Sequence, residues 1–230
     1  MASWITHLRI ADALLEIIGE LPQINFIIGN IAPDSGVPII SKDEFEPPVY
    51  ITHWKVGGNS YEINAEKFLE KYLVCNRNNK EMSFYLGYYV HLLTDYIWVQ
   101  DIYPQLKVQF TFEYENDPNF MQKVKKDMFE IDCLFLKKCP NFRAYSIFNK
   151  VSKFPNIFLD YFSEEAFEKK IEFIRKYYED FTGELPKKFL YLGEEQVNNF
   201  IYKVVGEIQP KLKRILKGDM KGAIRETRGN

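Results

Sequence analysis

No stretch of this 230-residue chain alternates apolar and polar residues convincingly as a half-buried strand does, and this constrains the fold more than any other feature. Apolar residues recur at helical spacing instead. Ile5, Leu8, Ala11, Leu14, Leu15 and Ile18 form one face behind Ser3, a serine placed to cap, and Gly19 and Pro22 close that helix. Residues 22–29 predict a short second helix that stops at Gly29-Asn30. Asn64 is placed to cap a helix with Phe68, Leu69, Tyr72 and Cys75 on one face, and a polar turn from Asn76 to Lys80 leads into the most apolar helix, about 81–101. Asp117-Pro118 opens a helix to about Lys138, which Pro140 breaks. Ser163-Glu164-Glu165 starts a strongly amphipathic helix through Phe167, Ile171, Ile174 and Tyr178, and a last one begins near Glu194 and runs past Pro210. The expectation is an all-α multi-helix bundle, one domain over residues 1–230, without repeat or linker.

One segment resists that pattern. Between Ile31 and about Ser60, Pro33, Gly36, Pro38, Pro47, Pro48, Gly57 and Gly58 leave no helix able to persist, while Ile39, Ile40, Val49, Ile51 and Trp54 argue against disorder. A loop of this length in a compact domain is usually functional.

The net charge of −2 gives no chain-wide attraction to nucleic acid or anionic membranes, so stable nucleic-acid binding is not expected. The basic last segment (Lys211, Lys213, Arg214, Lys217, Lys221, Arg225, Arg228) reads as a solvated helix end. The N-terminus carries no secretory pattern, and no run of 18 apolar residues predicts a transmembrane helix. Cys75, Cys133 and Cys139 read as reduced, mostly buried thiols, which together with the missing signal gives a cytoplasmic expectation.

All three histidines lie in the first 91 residues: His7 on the first helix, His53 in the Pro- and Gly-rich segment, His91 in the apolar helix. Asp34 falls between the first two, and Asp95 follows His91 by four positions, so both project from one helix face. One imidazole and one carboxylate at that spacing suit the same divalent ion. His7, His53 and Asp34 would complete three nitrogen and two oxygen ligands, a set that suits zinc without excluding iron or manganese. Gly87, one turn before His91, lets another helix or a loop come close.

At these residues the chain resembles the zinc-dependent phospholipase C family, which includes the single-strand-specific zinc nucleases. Its pattern is a histidine near the start of the first helix, an aspartate in a G-x-I-x-P-D type segment, a second histidine, and a helix with H-x3-D. The matches are His7, Gly29-Asn30-Ile31-Ala32-Pro33-Asp34, His53, and His91 with Asp95. The resemblance covers roughly the first 100 residues and leaves 102–230 as supporting helices. It implies metal-dependent hydrolysis of a phosphoester, with His7, His53, His91 and Asp95 as ligands and Asp34 binding metal or orienting and deprotonating the attacking water. The substrate would be a small phosphoester or a lipid headgroup, and Trp4, Trp54, Tyr88 and Trp98 are candidates to line its pocket or, more blandly, the core. Secreted family members also use an N-terminal tryptophan and later histidines as ligands. Here Trp4 has no evident cleavage before it, Asp101 stands where a histidine is usual, and Glu130 and Asp132 on the next long helix are the only nearby candidates. The second metal position is thus either rebuilt from Asp101 and Asp132 or lost, and the resemblance implies one or two ions rather than three. The alternative is a non-catalytic helical protein with a degraded site, binding a metal or a partner.

Overall fold

The computed structural model describes residues 1–39, 44–57, 62–74, 78–186, 188–219 and 222. Cys75, Asn76, Ile40, Gly58, Lys221, Arg225 and Arg228 lie outside the described residues. The architecture is all-α, with ten helices among the described residues. In chain order these are α1 (Trp4–Leu14), α2 (Gln23–Ile31), α3 (Val49–Thr52), α4 (Ala65–Tyr72), α5 (Asn79–Gln109), α6 (Thr111–Asn116), α7 (Phe120–Lys138), α8 (Arg143–Asn149), α9 (Ala166–Glu179) and α10 (Glu194–Leu216).

The caps explain most boundaries. The Ser3 hydroxyl accepts from the Thr6 backbone N–H, and the Asn64 side chain accepts from Lys67 N–H, each satisfying a donor the helix cannot. Asn78 and Glu81 form a reciprocal capping box, which starts α5 two residues before the expected 81. α5 also runs past 101 and through Pro104, which is exposed, so the carbonyl left without a helical donor is on the solvent side. α7 starts later than Asp117-Pro118 suggests. The Asp117 carboxylate accepts from Asn119 N–H and closes a turn of its own, so the helix begins at Phe120. α1 ends at Leu14, before the expected Gly19, although Leu15 and Ile18 remain buried in the turns that follow.

The described residues of the Pro- and Gly-rich segment correct two expectations, that it holds no strand and that no helix persists in it. It holds a 3-10 turn over Ala32–Asp34, a two-stranded antiparallel hairpin of β1 (Val37–Ile39) and β2 (Glu44–Glu46), and α3. Three-residue strands are too short to show an alternating pattern.

The pairing of α2 with α5 is the most extensive helix contact in the molecule, and it decides where the site forms. Gly29 and Gly87 face the crossing. A Cβ at Gly29 would lie 2.0 Å from the Phe84 carbonyl oxygen, and one at Gly87 would lie 2.0 Å from that of Phe26. Two bare backbones are the only way to reach this separation. Asn30 Nδ2 then donates to the Gly87 carbonyl (3.2 Å), and Ser83 Oγ to that of Pro22 (2.6 Å). α1, α8 and α10 pack around this pair, and α9 adds an aromatic layer in which Phe84 stacks on Phe158 (4.1 Å) and meets Phe167.

Candidate metal centre

Four elements deliver five side chains to one place. α1 brings His7, the 3-10 turn brings Asp34, the end of α3 brings His53, and the middle of α5 brings His91 and Asp95. The turn after α3 places Trp54 in the left-handed backbone region (φ 51°), which costs a non-glycine residue about 1–2 kcal/mol. Edge-on packing of its ring against Phe68 and Tyr72 offsets that cost and anchors the chain beside His53. Tyr88, one turn before His91, donates to the Thr52 carbonyl and accepts from Tyr161 (3.0 Å), tying α3 to α5.

The ring nitrogens point inward. His91 Nδ1 lies 2.8 Å from the Asn30 carbonyl oxygen, which can only accept, so Nδ1 carries the proton and Nε2 faces the cluster. The Thr52 hydroxyl donates to the Val49 carbonyl (3.4 Å) and thus accepts from His53 Nδ1 (2.9 Å), which also leaves Nε2 facing inward. Imidazoles that ligate metals are held in this manner, with the second nitrogen donating to an oxygen. Asp95 Oδ1 accepts from the Ala2 backbone N–H (2.9 Å).

The separations suit a small ion. His53 Nε2 is 3.3 Å from His91 Nε2, 3.3 Å from Asp34 Oδ1 and 3.6 Å from Asp95 Oδ2. His91 Nε2 is 3.4 Å from Asp95 Oδ2, and His7 Nε2 is 3.4 Å from Asp95 Oδ1. A tetrahedral zinc with bonds of about 2.0–2.1 Å separates its ligand atoms by about 3.3 Å. Both nitrogens of His7, and Asp95 Oδ2, are buried without a hydrogen-bond partner, and a cation would relieve Asp95 Oδ2 and one of the two nitrogens. The donor atoms fall into two overlapping groups, His7–His91–Asp95 and Asp34–His53–His91. The His7 and His91 rings lie parallel, 3.9 Å apart.

Electrostatics in the cluster follow from its burial. Burial, then the neighbouring His91, pushes His7 down to about 4. Burial opposes a charged His91, yet the charge and hydrogen bond of Asp95 raise its pKa. For Asp95, burial works toward neutrality, and the facing His91 and His7 overcome it and hold it well below the usual carboxylate range. Asp34 behaves alike: burial works toward neutrality, and the facing His53 and His91 outweigh it and lower its pKa.

Asp34 and His53 also line a cavity of about 530 Å³, while His91 and Asp95 lie beneath it with no exposed side-chain surface. Asp34 remains 16% exposed, so the cluster has one accessible edge. Of the aromatic candidates only Trp4 lines this cavity. Trp54 borders a separate surface depression, and Tyr88 and Trp98 are core residues, Trp98 packing edge-on against Phe200 (4.8 Å). Asp101 faces away and pairs with Lys203 (3.0 Å), and Glu130 pairs with Lys126 (3.5 Å). Asp132 reaches the cavity wall, where its carboxylate accepts from Ser3 Oγ (2.8 Å) and Tyr178 OH (2.6 Å). Among the described residues, neither Asp101 nor Asp132 joins the converging donor atoms. Cys133 is buried, with its thiol pushed up to about 12 by burial, whereas Cys139 is exposed.

Burial raises Asp132 to about 7, against hydrogen bonds from Tyr178 and Ser3 that favour the anion. The folded state therefore binds this proton more tightly than the unfolded chain, whose value is near 3.8. That contribution to stability is full below pH 4 and is lost as the pH rises toward 7. Asp132→Asn cannot ionise, so its stability relative to the parent should climb across this window by on the order of a few kcal/mol. Urea titrations at acid and mildly alkaline pH check this, and a pH-independent difference would refute it.

Sequence reasoning missed the residues that aim the ligands: the Asn30 carbonyl, the Thr52 hydroxyl and the Ala2 amide. Thr52 and Asn30 stand beside or within the motifs, but a backbone group that acts across 61 positions, as Asn30 does on His91, has no sequence signature. The model of the family described as zinc dependent phospholipase C matches residues 6–101, so the resemblance drawn from the motifs holds over the segment that contains all five converging side chains. Comparisons with curated proteins and with solved structures found no match.

Proposed function

We propose that this chain, whose residues 6–101 are of the zinc-dependent phospholipase C family, is a hydrolase that cleaves a phosphoester with the help of one or two divalent ions, zinc being the ion its donors suit. The observation that carries the reading is the convergence of the inward-facing nitrogens of His53 and His91 with Asp34 and Asp95 at separations of 3.3–3.6 Å, beside a cavity. His7 completes the set through Asp95 Oδ1.

A divalent ion held there lowers the pKa of bound water toward neutrality and polarises a phosphoryl oxygen. His7, His53, His91 and Asp95 would hold it, the two oxygens of Asp95 facing different histidines. The Asn30 carbonyl and Thr52 hydroxyl keep the His91 and His53 rings in the ligating tautomer. Asp34 stands at the accessible edge, where its carboxylate orients the attacking water and takes its proton. A purely structural site would be closed on all sides, and the partial exposure of Asp34 favours the catalytic reading over the degraded one.

Elemental analysis of the purified protein, before and after dialysis against a chelator and then zinc, tests metal binding. Failure to take up any divalent ion would end the hydrolase reading. Asp34→Asn should keep the fold and lower turnover of generic phosphomonoesters and phosphodiesters by about 100-fold or more. Full turnover by that variant would remove Asp34 from the base role.

No helix among the described residues is long and apolar enough to cross a membrane. A cytoplasmic setting, a single domain and the absence of stable nucleic-acid binding remain part of this proposal.

A further inference from the structure

The cavity above Asp34 is walled by three cations drawn from three parts of the chain: Lys55 just after α3, Lys125 on α7 and Lys170 on α9. Its carboxylates are occupied otherwise. Asp34 faces His53, and Asp132 accepts from Ser3 and Tyr178. Much of the remaining wall is apolar or aromatic and includes Trp4, Phe45, Met121, Met128 and Phe129, with Ser3 and Thr52 among its polar members. Recognition of a quaternary ammonium needs an open aromatic face or a free carboxylate. Here the Lys170 ammonium already lies 5.3 Å from the centroid of the Trp4 ring and 5.3 Å from that of Phe173. A second cation would meet like charge at the best aromatic surface in the cavity.

Resting on the phosphoester reading of this site, we propose that the cavity selects phosphoesters whose organic part is apolar or aromatic and bears no positive charge, so that the ligand arrives as a net anion. The lysines attract the phosphate's negative charge and disfavour zwitterionic esters, which is specificity gained by repulsion as much as by contact. The two methionines give a wall that adapts to the shape of an apolar group. Such a group is found both in soluble aryl or alkyl phosphates and in anionic lipids.

Titration calorimetry of the zinc-loaded protein with phenyl phosphate and with phosphocholine tests this, because the two share a phosphate and differ in the charge of the organic part. Phenyl phosphate should bind at least tenfold tighter, and the preference should shrink in the Lys125→Gln/Lys170→Gln double variant, whose folding is checked by its thermal melt. It should also shrink as salt is raised. Equal or tighter binding of phosphocholine, no binding of phenyl phosphate, or an unchanged preference in a folded double variant would overturn the proposal. Cosedimentation with vesicles of phosphatidic acid in phosphatidylcholine, but not of phosphatidylcholine alone, marks a lipid source. Binding of phenyl phosphate without cosedimentation marks a soluble one, and either outcome supports the shared chemistry. Turnover of p-nitrophenyl phosphate and p-nitrophenyl phosphorylcholine separates the two readings. No turnover of either, with the binding preference intact, defeats the hydrolase and leaves this selectivity standing. Equal turnover of both does the reverse.

Discussion

His91→Ala and Asp95→Ala will each purify without their metal, and elemental analysis against the parent protein will show it. Removing a group that merely orients a ligand typically weakens metal binding about 10–100-fold, so removing the ligand itself should cost at least about 100-fold. His91 belongs to both groups of converging atoms, and Asp95 directs its two oxygens to different histidines, so neither loss leaves an intact set. The two variants should differ in stability once metal is stripped from all three proteins. Loss of Asp95 leaves the buried His7 and His91 without the anion that offsets their burial, whereas loss of His91 removes one of the opposing charges that hold Asp95 ionised. Normal metal content in both variants would contradict the proposed ligand set.

Gly87→Ala will strongly destabilise the fold. Helix propensity alone argues the other way, since alanine favours a helix interior over glycine by about 1 kcal/mol. The added methyl would sit 2.0 Å from the Phe26 carbonyl oxygen and 2.8 Å from the Asn30 nitrogen, both backbone atoms that cannot rotate aside. α2 and α5 would have to part, which removes the Asn30 bond to His91 along with buried contact across the most extensive helix pair. The expected loss is about 3 kcal/mol or more, read from the urea midpoint, accompanied by weaker zinc binding. Gly206→Ala on α10 is the matched control. It has nothing within 4 Å of the new methyl and should be neutral or gain up to about 1 kcal/mol. Similar behaviour of the two variants would show that the crossing tolerates separation.

Much of this site was legible in the linear order of residues because ligand chemistry is carried by few residue types. Three imidazoles among 230 residues, with a carboxylate four positions after the last, leave few ways to build a nitrogen and oxygen set. Helical spacing and the caps at Ser3 and Asn64 follow from local hydrogen bonding and local burial, so these elements were legible too, whereas the capping box at Asn78 was not foreseen. The short hairpin was not, because β1 and β2 hold three residues each and carry no period. Neither was the early end of α1, where Leu15 and Ile18 continue the apolar pattern in turns that bury them equally well.

By itself, then, the order of amino acids determined an all-α chain and pointed to His7, Asp34, His53, His91 and Asp95 as candidate metal-holding groups, since periodicity and donor chemistry belong to individual residues and their near neighbours. Only the tertiary structure decided that the glycine crossing of α2 on α5 aims His91, that Asp101 turns outward to Lys203 while Asp132 is held by Ser3 and Tyr178, and that three distant lysines share a wall with Asp34. Those are relations between positions as far as 129 residues apart, as for Ser3 and Asp132, set by how buried surfaces pack, and no local pattern encodes them.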